Sequence, residues 1–294
     1  SSIKSRALFT IYCRVAIQFR STKTEFEISP YNTKMDSSEE DILTPLSNIA
    51  LVKAARPSQI RSSAEQRSVV TLIAGGSVQV DAVAGSGKSN TAYLIAEANP
   101  DKAIVILTYN KALQLGMEAR IRELKLKCRA FTYHGFATRF YGTCFNDKLM
   151  TDIIVDNTPP RDIFMIDILI IDEAQDMNPT YFDLIKKIMR DNLQATPVKL
   201  CLFGDKYQAI YDFMRSSSQF LTLSHRIFNA AHRIDPNWQN AALSTSFRMT
   251  RETAAFINNC VLCHGRIRSE RRGPKPKYLI CNSYGYTIVR EVTR

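Results

Sequence analysis

The chain has 294 residues, 45% of them hydrophobic and 23% charged, the balance of a globular protein with a sizeable core and not of a disordered or fibrous one. A formal net charge of +11 favours a polyanionic partner, nucleic acid first. Seven cysteines scattered through apolar segments fit reduced intracellular thiols better than a disulfide framework, and the longest apolar run, Ile163 to Ile171, is broken by Asp167 and too short to span a membrane.

Residues 1–24 carry Lys4, Arg6, Arg14, Arg20 and Lys23, with no acid before Glu25, and the first methionine is Met35. Two readings compete: a mitochondrial transit peptide, or a chain whose translation starts at Met35. The second is preferred, with a nuclear or cytoplasmic location. Both leave residues 1–34 outside the fold. The acidic, serine-containing run Asp36 to Asp41 is expected to be disordered, so residues 1–48 form an extension and structure begins near Ile49 to Ala55.

Ser63 to Val70 reads as a helix with Ser63 as its cap. It holds Gln66, whose amide can pair with the N6 and N7 edge of adenine. Ser77-Val78-Gln79-Val80 alternates like a buried strand. It runs into Asp81-Ala82-Val83-Ala84-Gly85-Ser86-Gly87-Lys88-Ser89-Asn90 and then a helical stretch from Thr91. Strand, glycine turn, Gly-Lys-Ser and helix form the P-loop context. Gly85 and Gly87 let backbone N–H groups face a phosphate chain, and the helix N-terminus adds positive potential. Lys88 can reach the β- and γ-phosphates and Ser89 can ligate Mg²⁺. Ala82 stands where the plain motif has its first glycine. ATP and Mg²⁺ are the expected ligands.

Ala103 to Leu107 is a continuous apolar run, the mark of a buried parallel strand, followed by Thr108-Tyr109-Asn110-Lys111 and a helix to about Leu124. Lys127 to Phe131 reads as a further strand, with Thr132-Tyr133-His134-Gly135-Phe136 after it. Phe145 to Asp162 lacks periodicity and is expected to be a loop or small insertion. Phe164 to Ile171 reads as a strand ending in Asp172-Glu173-Ala174-Gln175-Asp176. Acids at the C-terminal end of a buried strand lie in the ligand crevice of an α/β sheet. There Asp172 can hold Mg²⁺ and Glu173 can orient or deprotonate water. Val198 to Phe203 is the next strand and opens into Gly204-Asp205 and Gln208, placed to sense a γ-phosphate. Ala242 to Arg248 is expected to be a strand and Thr250 to Asn259 a helix capped by Thr250. Alternating strands and helices with motifs at strand ends define an α/β fold on a parallel sheet.

Taken in order, Gln66, Gly85 to Ser89, Tyr109-Asn110-Lys111, Thr132 to Gly135, Asp172 to Asp176, Gly204-Asp205 with Gln208-Ala209-Ile210-Tyr211, and Ser246-Phe247-Arg248 resemble the motifs of superfamily 1A helicases of the UvrD/Rep type. The wording is most similar to the F-box DNA helicase and large-DNA-virus branch. The resemblance covers about residues 55–285. It implies a RecA-like P-loop NTPase domain over 49–240, with a reduced insertion at about 143–162, followed by the start of a second RecA-like domain over 241–294. Motifs V and VI of the family would lie beyond Arg294, so the expectation is the N-terminal half of a helicase.

The resemblance also implies roles. Gln66 and Phe247 would hold adenine, and the loop from Ala82 through Val83, Ala84, Gly85, Ser86, Gly87, Lys88 and Ser89 to Asn90 would cradle the phosphates. Lys88, Asp172, Glu173, Gln208 and Arg248 would be catalytic, with Ser89 and Asp172 on the metal. Tyr109, Asn110, His134 and Phe213 would line a single-stranded DNA track, with 3′-to-5′ movement; the motifs do not separate DNA from RNA. Where the UvrD type continues motif III with Trp-Arg, this chain has Met214 after Phe213, and Arg215 comes one place late. The competing reading is a degenerate helicase that binds nucleotide or nucleic acid without turnover.

Two further strings carry less. Cys260-Val261-Leu262-Cys263-His264 spells a haem-attachment motif, but the composition argues against haem, and no second CxxC pair exists for zinc. These are read as core cysteines at a helix end. Arg266, Arg268, Arg271, Arg272, Lys275 and Lys277 are read as a solvated basic loop.

Overall fold

Six short strands pair side by side in the order β3-β2-β4-β5-β1-β6, every neighbouring pair parallel. The strands are β1 (Ser77–Ala82), β2 (Ile104–Thr108), β3 (Cys128–Thr132), β4 (Ile168–Ile171), β5 (Lys199–Gly204) and β6 (Trp238–Leu243). The protein is seen in a computed structural model that describes residues 60–208, 218–229, 231 and 233–276.

Both faces of the sheet are covered, which is why its central strands β2, β4 and β5 read as near-continuous apolar runs rather than alternating ones. Side chains still alternate between two cores. Val78, Val80, Ile168, Ile170, Cys201 and Phe203 share a cluster with Val69, Ile73, Ile95, Met117 and Ile121. Those partners come from α1 (Ala64–Gly75), α2 (Lys88–Ala98) and α3 (Lys111–Leu124). Leu169, Ile171, Leu200 and Leu202 face the other way, toward Phe136, Met150, Leu184, Ile188, Phe220 and Phe228. Those belong to α4 (Tyr133–Phe140), α5 (Asp147–Val155), α6 (Pro179–Asp191), α7 (Gln219–Thr222) and α8 (Ser224–Phe228).

Several boundaries differ from expectation, each for a local reason. The stretch 145–162 holds a helix, α5: the Asn146 side chain accepts from Leu149 N at 2.9 Å and caps it, while Met150 and Ile153 are buried. The strand expected from Phe164 begins only at Ile168. Ahead of it the Asn192 amide takes both backbone groups of Ile166, accepting its N–H at 2.9 Å and donating to its carbonyl at 3.0 Å. The strand expected at 242–248 lies at Trp238–Leu243, on the edge of the same sheet as β1. It ends there because the Glu65 carboxylate accepts the amides of Ser244 and Thr245 at 3.0 and 3.1 Å.

The helix begun at Thr250 is α9 (Arg251–Phe256), which continues as a π-helical turn, Ile257–Leu262, closed by Cys263 at φ 58°. Cys260 and Cys263 are exposed, not core residues. A small third cluster packs Met249, Ala254, Ile257 and Ile267 against Val83 and Ala84 of the glycine loop. Residues 1–59 lie outside the described residues, as do Ala209, Ile210, Tyr211, Phe213, Met214, Arg215 and Lys277. None of the described helices is long and apolar enough to cross a membrane.

Candidate nucleotide-binding site

The loop between β1 and α2 has the shape its glycines allow. Gly85 and Gly87 have φ of 74° and 85°, where L-residues are strained. A Cβ at Gly87 would sit 2.5 Å from Gln66 Nε2, and one at Gly85 2.5 Å from Arg248 Cβ. Ala82, by contrast, is the last residue of β1 and wholly buried, so that position needs no glycine. Val83 and Ala84 turn their side chains into the protein and leave the backbone to line the site. Gly87 caps α2 with no side-chain bond, so the first-turn amides stay available to an anion. The Ser86 hydroxyl is buried without a hydrogen-bond partner among the described residues.

Opposite the loop stands the acidic end of β4. Lys88 Nζ lies 2.9 Å from Glu173 Oε1, with the two side chains 12% and 28% exposed. Glu173 takes a left-handed backbone, φ 54°, unusual for a non-glycine and a feature that clusters at functional sites. Its other oxygen accepts from Gln175 Nε2 at 2.8 Å. Asp172 is buried, and burial pushes its carboxyl up to about 7; Glu173 adds to the rise and Lys88 opposes it. Asp176 is likewise raised to about 7, by burial and then by Glu173. Burial works against the Lys88 ammonium, but Glu173, Asp172 and Asp205 together outweigh it and hold its pKa above the usual lysine value.

The third strand end is that of β5. Gln208 Nε2 donates to Asp205 Oδ2 at 2.7 Å, and Asp205 N donates to Gln175 Oε1 at 3.0 Å. The segment after β6 closes the group. Ser246 Oγ donates to Ala84 O at 2.8 Å and Phe247 N to Gly85 O at 2.9 Å, which lays Phe247, 55% exposed, and Arg248 beside the glycine loop. Asn90 donates to Arg61 O, away from the loop.

Gln66 is placed differently from its expected use. Its Oε1 accepts from Ser63 N, completing a reciprocal cap, and its Nε2 donates to Ser86 O at 3.1 Å. Contact with an adenine edge would require it to exchange these partners.

Tyr109, Asn110 and His134 sit at the C-terminal ends of β2 and β3, on the same edge of the sheet. Asn110 caps α3, accepting from Ala112 N at 2.8 Å. Tyr109 and His134 both set an edge against Tyr181, with centroids 5.7 and 5.9 Å away, and Tyr133 stacks on Tyr181 at 4.4 Å. His134 Nε2 lies 3.0 Å from Asp147 Oδ1. Tyr181, from α6, is the centre of this aromatic wall, and no sequence pattern singles it out. Phe213 is outside the described residues.

The residues present fit a magnesium nucleotide. The glycine cradle admits no Cβ at Gly85 or Gly87, the helix that follows has no side-chain cap on its first amides, Ser86 keeps an unpartnered hydroxyl, and the mostly buried Lys88 and the buried Asp172 supply a cation and a carboxyl. Fold and site together define a P-loop NTPase domain of the α/β class. The sequence matches a family model described as an AAA domain over residues 65–214, just over half of its length, and the chain belongs to that family.

Solved structures similar to it include a Bacteroides Pif1 bound to ssDNA (21% identity, 67% of this chain and 45% of that one, TM-score 0.38). A Candida albicans Pif1 helicase (18%, 63% and 40%, 0.37) and the Pyrococcus furiosus Hef helicase domain (13%, 60% and 37%, 0.38) are others. The chain spans less than half the length of each. The curated proteins contain no match.

Proposed function

We propose that this chain is the ATP-binding part of a superfamily 1 helicase of the UvrD/Rep type, an ATP- and Mg²⁺-dependent motor that moves 3′ to 5′ on single-stranded DNA, with a second RecA-like unit following β6. The observation that carries the reading is the Lys88–Glu173 ion pair. It joins the phosphate loop to the acidic strand end, on the same sheet edge that holds Gln208 and Phe247-Arg248.

In this reading Lys88, Ser89 and the amides of the loop bind the triphosphate, and Ser89 and Asp172 hold the metal. Mg²⁺, when bound, neutralises phosphate charge and polarises the reacting phosphoryl group. Lys88 exchanges Glu173 for phosphate oxygens, which frees Glu173 to orient water and take its proton. Asp172 would hold the metal in its ionised form, which a divalent charge favours over the proton that burial otherwise favours. Gln208 and Arg248 face the γ-phosphate end, and Phe247 offers an exposed ring for adenine. Tyr109, His134 and Asn110 form the track side, where aromatic faces stack bases without reading sequence.

One observation favours a second reading, nucleotide binding without turnover: Glu173 is held by both Lys88 and Gln175. The test for both is ATP hydrolysis with and without a short single-stranded oligonucleotide, run beside Glu173→Gln. Stimulated turnover that Glu173→Gln abolishes supports the motor. Tight binding with identical background hydrolysis in both proteins supports the second reading. A chain that binds no nucleotide sinks both.

A further inference from the structure

Arg266 opens a run of arginines, and its neighbours Arg268, Arg271 and Arg272 are exposed. Its own side chain is 9% exposed. The segment is pinned from behind by Asn258, whose Oδ1 accepts from Arg266 N and Ile267 N at 3.2 and 3.0 Å and whose Nδ2 donates to Ile267 O at 2.8 Å. Ile267 is buried in the cluster that backs the phosphate loop. The guanidinium is thereby carried inward to the ends of β1 and β5. Its Nη2 donates to Asp81 Oδ1 at 2.7 Å and stands 2.8 Å from Asp205 Oδ1, and its plane lies over the Tyr207 ring, 4.8 Å from the centroid.

These two carboxylates are not incidental partners. Asp81 is the penultimate residue of β1, directly ahead of the phosphate loop, and is in register with Gly204, the residue before Asp205. Asp205 is wholly buried. Its Oδ1 also accepts from Tyr207 N at 3.0 Å, and its Oδ2 accepts the Gln208 amide at 2.7 Å. A carboxylate buried to this degree stays ionised and fixed only beside a cation. Arg266 stands within ion-pair distance of it, and two flanking carboxylates outweigh the burial that would otherwise weaken the guanidinium's charge.

We propose that Arg266 is a positioning residue for the γ-phosphate end of the nucleotide site: acting through Asp205, it fixes the Gln208 amide and ties that amide to the strand that launches the phosphate loop. The inference rests on the nucleotide-site reading above. It separates two jobs on the same sheet edge. Lys88 and the glycine loop grip whatever phosphates are present, whereas the Arg266–Asp205–Gln208 chain reads whether a third phosphate is there. Loss of Arg266 removes the guanidinium 2.8 Å from Asp205 and loosens the acceptor that holds Gln208, while the glycine loop keeps its own cap and amides.

The experiment uses the 294-residue chain and fluorescent ADP and ATPγS, each with Mg²⁺, to give two dissociation constants per protein. Arg266→Met should leave ADP affinity within about threefold and weaken ATPγS by about tenfold or more, the fold-change of one charge-assisted hydrogen bond. Arg266→Lys, which keeps a cation but loses the planar contact with Tyr207, should recover most of the difference. Since Arg266→Met removes a buried charge and can unfold the chain, Gln208→Ala provides the second arm. It trims a half-buried side chain and should show the same selective loss. In the double variant Gln208→Ala with Arg266→Met, ATPγS should bind no worse than to Gln208→Ala alone. Equal weakening of both nucleotides in the Arg266 variants, unchanged discrimination, or additive losses in the double variant would overturn the inference and leave the nucleotide site standing. Failure of the unsubstituted chain to bind either nucleotide would overturn the site reading and this inference with it.

Discussion

Two stretches of the same sheet edge are built on opposite principles. Above β1, β4 and β5 the polar groups are charged and paired around the buried carboxyls of Asp172 and Asp205: Lys88 with Glu173, Arg266 with Asp81 and Asp205, Gln208 with Asp205. Above β2 and β3 they are aromatic and half open to water: Tyr109 is 41% exposed, and the His134 and Asp147 side chains are 28% and 56% exposed. Charges taken out of water interact strongly and must be matched, so the first stretch is a preorganised cage for a small, highly charged ligand. Rings left near the surface offer area and tolerate variety, which suits a chain of bases. The difference predicts that substitutions on one side should leave the other side's ligand almost untouched.

The largest expected effect is that of Lys88→Ala. It removes the cation of the cage and several charge-assisted contacts, so nucleotide affinity should fall on the order of 100-fold. Oligonucleotide affinity, read by fluorescence anisotropy, should change less than about twofold. An equal drop in both would show that the two stretches are one site and would break the comparison.

Asp172 tests the cage through pH. Its carboxyl titrates at about 7 in the folded chain, against 3.8 when unperturbed. The folded state therefore holds this proton more tightly than the unfolded state. The stabilisation is complete below about pH 4 and is lost as pH rises through 7, with roughly 2–4 kcal/mol at stake. Without nucleotide, Asp172→Asn should melt several degrees above the parent at pH 8, and the gap should close toward pH 4. Mg²⁺ with ATP should raise the melting temperature of the parent more than that of the variant, which keeps only the phosphate grip of the loop and Lys88. A constant gap at every pH would mean that Asp172 is ionised throughout and that the cage is wetter than its burial indicates.

On the open side, Tyr109→Ala should weaken single-stranded oligonucleotide binding by about 1–3 kcal/mol, the usual worth of a base-stacking ring. ATPγS affinity should not move. Binding should also decline steeply with added salt, because neutralised phosphates release counterions. A salt-independent affinity would argue against nucleic acid as the ligand of this face.

How much of this could be read beforehand follows the range of each interaction. The glycine loop and strands β1, β2, β3 and β5 are local patterns, set by residues two to four apart, and stand within a residue or two of where the sequence puts them, whereas β4 starts four residues late and β6 four residues early. Ser63 is legible as a cap for the same reason. The reach of Gln66 to the carbonyl of Ser86 is not, since nothing local says where a glutamine amide will end. The helix from Pro179 is marked by Asn178 as cap and proline at its first position. Those signals mark the helix but not which of its residues faces the track, so Tyr181 is legible only from the fold. Arg266 shows the limit most plainly. Among five other basic residues it looks solvated, and only the fold brings Asp81, 185 positions away, against it. Its signal was the Ile267 beside it, one apolar residue in a charged run, which says that the segment turns inward there.

The smallest expected effect is the sharpest check on the open side. Asp147 comes from the cap end of α5 and places a carboxylate 3.0 Å from His134, with more than half of its side chain exposed. An exposed carboxylate–imidazole contact contributes no more to stability than an exposed ion pair, about 0–1 kcal/mol. Asp147→Asn should therefore shift the melting temperature by no more than a degree or two. The same carboxylate is a negative charge beside a track proposed to carry phosphates, where like charges repel. Its removal should raise oligonucleotide affinity about two- to threefold at low salt, and the gain should vanish once salt shortens the screening length to a few ångströms. Nucleotide affinity should be identical in both proteins. A fall in oligonucleotide affinity would assign Asp147 the opposite role, as a strut that holds His134 toward the strand. The open side would then be preorganised in the manner of the cage, and the contrast between the two stretches would be one of exposure alone.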